Sequence, residues 1–103
     1  MDLFNEPTLT WWKADGKQEG CHFSVATQAK VIKYLDIHLK NRGLSTMIAA
    51  FDESCYDGVV KTFQSIGSSA LSKINRINVH GYQYARGNRA KLRSLATNAG
   101  MSL

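Results

Sequence analysis

The chain has 103 residues, enough for one modest domain around a single core. A hydrophobic fraction of 44% and a charged fraction of 20% are ordinary for a globular protein. No apolar stretch approaches the roughly 20 residues that a membrane-spanning helix needs, so no membrane partner is expected. Thirteen Lys and Arg against eight Asp and Glu leave a net charge of +5, which permits attraction to anions. The basic residues are dispersed, however. The densest group, Arg86, Arg89, Lys91 and Arg93, places three arginines on one helix face and reads as a solvated surface rather than a nucleic-acid site.

From residues 24–42 the apolar positions Val25, Ala29, Ile32, Leu35, Ile37 and Leu39 recur mostly at spacings of three and four. That pattern predicts an amphipathic helix, with Ser24 as N-cap and Gly43 as its stop. Residues 44–51 then read as a short buried strand, and Asp52-Glu53-Ser54 as a polar turn. A second helix presents Val59, Val60, Phe63 and Ile66 inward and ends at Gly67-Ser68-Ser69. Residues 74–79 form a second strand, extended at most to His80. A third helix begins at Asn88, faces Leu92, Leu95, Ala96 and Ala99 inward and stops at Gly100, with a strand beginning at residues 101–103.

Helical crossovers between short apolar strands imply a parallel sheet covered by helices. Residues 1–103 hold no repeat, low-complexity tract or linker and form one incomplete domain, because two or three parallel strands belong in larger sheets. Both ends are expected to be cut. Met1-Asp2-Leu3-Phe4 has no basic region followed by an apolar core and is not a signal peptide. Cys21 and Cys55 are too few for a disulfide scaffold and their spacing matches no zinc signature; a metal site shared with His22, His38 and His80 is the minor alternative. One disulfide is open to the pair if the fold brings them together; two free thiols are the safer expectation, with no metal and no cofactor.

The chemistry concentrates near the start. Asn5-Glu6-Pro7 falls where the C-terminal end of a first strand is expected, and in parallel barrels that end carries the active-site groups. The tripeptide alone also describes a turn, since Pro7 pushes Glu6 toward extended geometry. The connection over residues 8–23 is longer than αβ units usually need and holds Trp11, Trp12, Glu19, Cys21, His22 and Phe23. Tryptophans beside a carboxylate suit a carbohydrate, although one of the two is expected to cover the rim instead. Asp52, Glu53 and Ser54 follow the next strand, and His80, Tyr82 and Tyr84 the one after, the pattern of an active-site mouth.

These segments together resemble a known family. Phe4-Asn5-Glu6-Pro7-Thr8, Trp11-Trp12, Gln18-Glu19-Gly20-Cys21-His22-Phe23, Asp52-Glu53-Ser54 and Arg76-Ile77-Asn78-Val79-His80-Gly81-Tyr82-Gln83-Tyr84 are similar to the endo-β-1,6-galactanase-like members of glycoside hydrolase family 30, in order and across almost the whole chain. The resemblance implies a fragment of a retaining (β/α)8 TIM barrel, from the end of strand 4 through helix 6 to the start of strand 7. It implies a polysaccharide or oligosaccharide substrate and a parent that is typically secreted. It makes Glu6 the acid/base and places Asn5 on the sugar 2-hydroxyl or its neighbours. Trp11 or Trp12 would shape a subsite, and Asp52 would bind a hydroxyl. His80 and Tyr82 would lie beneath the sugar, with Tyr82 against the nucleophile.

The family's nucleophile is a glutamate at the end of the seventh strand, which is not reached before Leu103. Retaining hydrolysis needs two carboxyl groups about 5–5.5 Å apart, and Asp52 and Glu53 sit on the wrong strand to substitute. The fragment is therefore expected to be inactive, marginally stable, and open to pairing with a complementary half-barrel, with Glu6 solvated in an open cleft. The competing reading is a non-catalytic carbohydrate-binding remnant.

Overall fold

The computed structural model describes residues 1–18, 20–82 and 87–103. Glu19, Tyr84 and Arg86, singled out above, lie outside the described residues, as do Gln83 and Ala85.

The first helix, α1, spans Val25–Asn41. Ser24 opens it in extended geometry, its hydroxyl accepting from the Thr27 N–H at 3.1 Å. At the other end Gly43 adopts φ +66°, its N–H bonds to Lys40 O and the Leu44 N–H bonds to Leu39 O, a Schellman closure. The inward stripe is Gln28, Ile32, Leu35 and Leu39. Ile37, expected to face inward, lies off that stripe and is half exposed.

Strand β1 spans Ala49–Glu53, not residues 44–51. Leu44 is spent on closing α1, and Met47 is exposed. Pairing starts only where a partner strand exists, at Ala49 opposite Arg76, and an apolar run does not say where that is. At its far end the strand continues through the expected turn. A bulge between Phe51 and Glu53 carries it on, with Phe51 at φ +85° and Asp52 at φ +47°. The bulge breaks strand alternation: Ala50 and Phe51 are both fully buried, and Phe51 meets Phe63 with ring centroids 6.1 Å apart.

Helix α2, Tyr56–Ser65, buries Val59, Val60 and Phe63 as its spacing predicts, and Ile66 caps it buried. Residues expected only to terminate it form a separate short helix, α3, Ser68–Leu71, which seats Ala70 in the core. Strand β2 is Arg76–Val79; the expected two leading residues do not pair as strand, because the Asn75 side chain and N–H engage Ile48 instead. Helix α4, Arg89–Asn98, starts at Asn88, whose side chain accepts from the Lys91 N–H at 2.8 Å. Leu92 and Ala96 are buried, Leu95 is partly buried, and Ala99 is exposed against expectation.

β1 and β2 form a two-stranded parallel sheet. Extended residues near each terminus bridge to its edges, Asp2 to Ala49 and Ser102 to Arg76, both parallel. The molecule measures 39 × 36 × 19 Å, and the thin dimension admits one sheet layer and one helix layer. This is a small mixed α/β arrangement compatible with part of a larger α/β domain. No described helix is long and apolar enough to cross a membrane.

Candidate active site

Glu6 sits in a turn that leaves the segment bridged to β1 through Asp2. Its φ of +46° is left-handed, a conformation that costs a non-glycine residue on the order of 1 kcal/mol and persists only where the surroundings hold it. Here they do. The Glu6 N–H donates to Asp52 O at 2.9 Å. The Glu6 carbonyl accepts from the Leu9 N–H and from the Trp12 indole Nε1–H, each at 3.1 Å. Pro7 behind it is fully buried. Glu6 itself is only 7% exposed, so the expectation of a solvated carboxylate is corrected: the turn folds it against the protein even though the cleft is open.

That cleft has a volume of about 760 Å³, and its lining includes Asn5, Glu6, Trp11, Gln18, Ser54 and Tyr82. Asn5 and Tyr82 are exposed to it, and Trp11 is half exposed. Trp11 and Trp12 stack with centroids 4.3 Å apart at 23°. The two indoles do different things. Trp11 offers a free face, whereas Trp12 is pinned through its Nε1 to Glu6 and packs on the Gly20 backbone, where a Cβ would lie 2.6 Å from the ring. Trp12 lines a smaller adjoining hollow of about 260 Å³ rather than the Glu6 cleft.

Asp52 and His80 line a neighbouring cavity of about 310 Å³ together with Asn78. His80 Nε2 lies 3.1 Å from Asp52 Oδ2, within ion-pair range but without the alignment of a hydrogen bond. The His80 ring stacks on Tyr82 at 4.7 Å, and Tyr82 faces the Glu6 cleft, so the two cavities share an aromatic wall. Of the seven residues singled out for the site, Asn5, Glu6, Trp11 and Tyr82 converge on one cleft, and Trp12, Asp52 and His80 border it from adjacent hollows.

Glu53, expected at the active-site mouth but on the wrong strand to serve as nucleophile, has surroundings that give it another character. It is 1% exposed. Its Oε2 accepts from the Thr8 hydroxyl at 2.6 Å and its Oε1 from the Thr62 hydroxyl at 3.0 Å. Burial pushes its carboxyl above the usual range against the pull of the Thr8 and Thr62 hydroxyls and the Thr8 backbone, and the nearby Glu6 charge adds to the rise. With both oxygens engaged and water excluded, Glu53 is not placed to attack a substrate. The place of Gln18 in the cleft and the Thr8–Glu53–Thr62 chain are not legible in the sequence; both depend on which side chains meet across distant segments, which spacing does not report. Cys21 and Cys55 are free thiols. Among the described residues no three His, Cys, Asp or Glu gather as a metal site.

No family model and no solved structure matches the chain. Among curated proteins, the chain is 50% identical over all 103 residues to the endo-β-1,6-galactanase of Hypocrea rufa. It spans 22% of the length of that relative. Half the residues in common over the whole of this chain make it galactanase-like in sequence.

Proposed function

We propose that this chain carries the acid/base portion of a retaining β-1,6-galactan hydrolase of glycoside hydrolase family 30, as the part of a (β/α)8 barrel from the end of strand 4 to the start of strand 7. The observation that carries the reading is the convergence of Asn5, Glu6, Trp11 and Tyr82 on one cleft in a chain half identical to an endo-β-1,6-galactanase. The alternation of parallel extended segments and helices supports the barrel placement.

In this reading Glu6 protonates the departing glycosidic oxygen and later takes the proton of the attacking water. Asn5 bonds a hydroxyl of the sugar whose linkage breaks. Trp11 packs its free indole face on the C–H face of a neighbouring galactose. Tyr82 borders the sugar from below, backed by His80, which Asp52 accompanies. Glu53 is engaged on both oxygens, and Asp52 lines the adjacent cavity instead of the Glu6 cleft. Neither of them is placed as the nucleophile; this reading takes that group from the further strand that the family resemblance calls for, so that the isolated chain binds galactan without turning it over.

The test is a titration of the purified chain with β-1,6-linked galacto-oligosaccharides, followed by a sugar-release assay. Binding is expected with no hydrolysis, and Glu6→Gln is expected to change affinity by less than about threefold, because the two side chains share a shape. No binding would overturn the site assignment. Hydrolysis with retained configuration would overturn the external nucleophile.

A further inference from the structure

Glu53 takes no part in the chemistry above, yet it is more enclosed than Glu6, the other buried carboxylate among the described residues. A carboxylate withdrawn from water is costly unless its oxygens are bonded, and an apolar residue would fill the same space without that cost. What the carboxylate adds is two directional bonds to two separate elements. Oε2 accepts from Thr8, two residues beyond Glu6 in the same turn, and Oε1 accepts from Thr62 on α2. The preceding residue, Asp52, accepts the Glu6 N–H through its carbonyl. The end of β1 thus grips the Glu6 turn on both sides of its left-handed residue.

We propose that Glu53 is a positioning residue for Glu6, its buried carboxylate tying Thr8 of the Glu6 turn to Thr62 of α2 and so fixing where the Glu6 carboxyl is presented. This rests on Glu6 being the acid/base. Glu53 itself touches no substrate. Its position follows from the β1 bulge: the backbone turns between Phe51 and Glu53 so that Asp52 faces His80 and Glu53 faces α2. Acid/base groups work from geometry held to a fraction of an ångström by a supporting shell, and a charged strut supplies more rigidity than a neutral bond.

The experiment is amide hydrogen exchange, read by NMR on the full chain at one pH. The Glu6 N–H, bonded to Asp52, reports the turn; the Ile77 amide, bonded to Ser102, reports the outer edge of β2, and the Val59 amide, bonded to Cys55, reports the first turn of α2. Thr8→Val keeps the volume and removes the donor to Glu53. Glu6 exchange is expected to accelerate about tenfold or more, the worth of one charge-assisted bond, with Ile77 and Val59 within about twofold. Thr8→Ser, which restores a hydroxyl, is expected to bring Glu6 back to near its original rate. Unchanged Glu6 exchange, uniform acceleration throughout the chain, or failure of Thr8→Ser to rescue would each overturn the proposal. If Thr8→Val does not fold, Glu53→Gln decides on the same amides: faster Glu6 exchange with a protected sheet supports the strut, and equal protection at Glu6 overturns it.

A β-1,6-linked galacto-oligosaccharide added to the same samples separates this inference from the function it rests on. No response at Trp11 and Asn5, with Glu6 exchange altered as expected, refutes the functional reading alone. A saccharide response with Glu6 exchange indifferent to Thr8 refutes the role of Glu53 alone.

Discussion

Thr62→Val tests the other end of the Glu53 strut through stability. Thr62 is 2% exposed, and its hydroxyl donates to Glu53 Oε1 at 3.0 Å. Valine matches threonine in shape, so no cavity opens and the loss is the hydrogen bond itself. A bond to a charged, buried acceptor contributes roughly 1.5–3 kcal/mol, the expected loss at neutral pH. In a domain of this size each 1 kcal/mol lowers the melting temperature by about 4–8 °C. The loss also depends on pH in a definite direction. The folded-state pKa of Glu53 is raised above its ordinary value of 4.5, so the folded state holds its proton more tightly. Stability from that preference is fully present below the ordinary value and is lost as pH rises through the folded-state value. Removing a bond to the ionised form raises the folded-state value further. The gap between wild type and Thr62→Val should therefore be small near pH 4 and widen toward pH 7.5. Urea melts followed by far-UV circular dichroism at both pH values, at one ionic strength, measure it. A gap under about 0.5 kcal/mol at pH 7.5, or one equal at both pH values, would refute the argument.

Trp11→Ala removes a half-exposed ring that, among the described aromatic residues, stacks on Trp12 alone, so it should weaken galacto-oligosaccharide binding roughly five- to tenfold and leave the melting temperature nearly unchanged; isothermal titration measures the first and calorimetry the second. Gly20→Ala should do the reverse. Its Cβ falls 2.6 Å from the Trp12 ring, so the indole must move and release the Glu6 carbonyl, at a cost of about 1–3 kcal/mol visible in a denaturant melt.

Local chemistry was legible in the sequence where the signal is local. The caps at Ser24 and Asn88, the glycine stop at Gly43 and the inward face of α2 follow from residue type and spacing, because each involves neighbours within a turn or two. What depended on pairing was not legible. β1 began at Ala49 instead of Leu44 because its start is set by Arg76, far along the chain, and the Asp52-Glu53 pair read as a turn because nothing in the sequence announces a bulge. The same limit applies to the site. Glu6, Asn5, Trp11 and Tyr82 could be picked out as residue types that suit a sugar cleft, whereas the role of Glu53 appears only when Thr8 and Thr62 are seen on either side of it.

The stacked indoles give this protein a built-in optical reporter. The chain has only two tryptophans, and they lie face to face at 4.3 Å, close enough for their transitions to couple and split into paired bands of opposite sign in circular dichroism. One indole is fastened to the backbone of the catalytic candidate and the other opens on the cleft. A sugar settling on Trp11 would change the emission of the pair, while a shift of the Glu6 turn would change the angle between the rings. Occupancy and turn geometry can thus be followed separately in one cuvette, with no label attached.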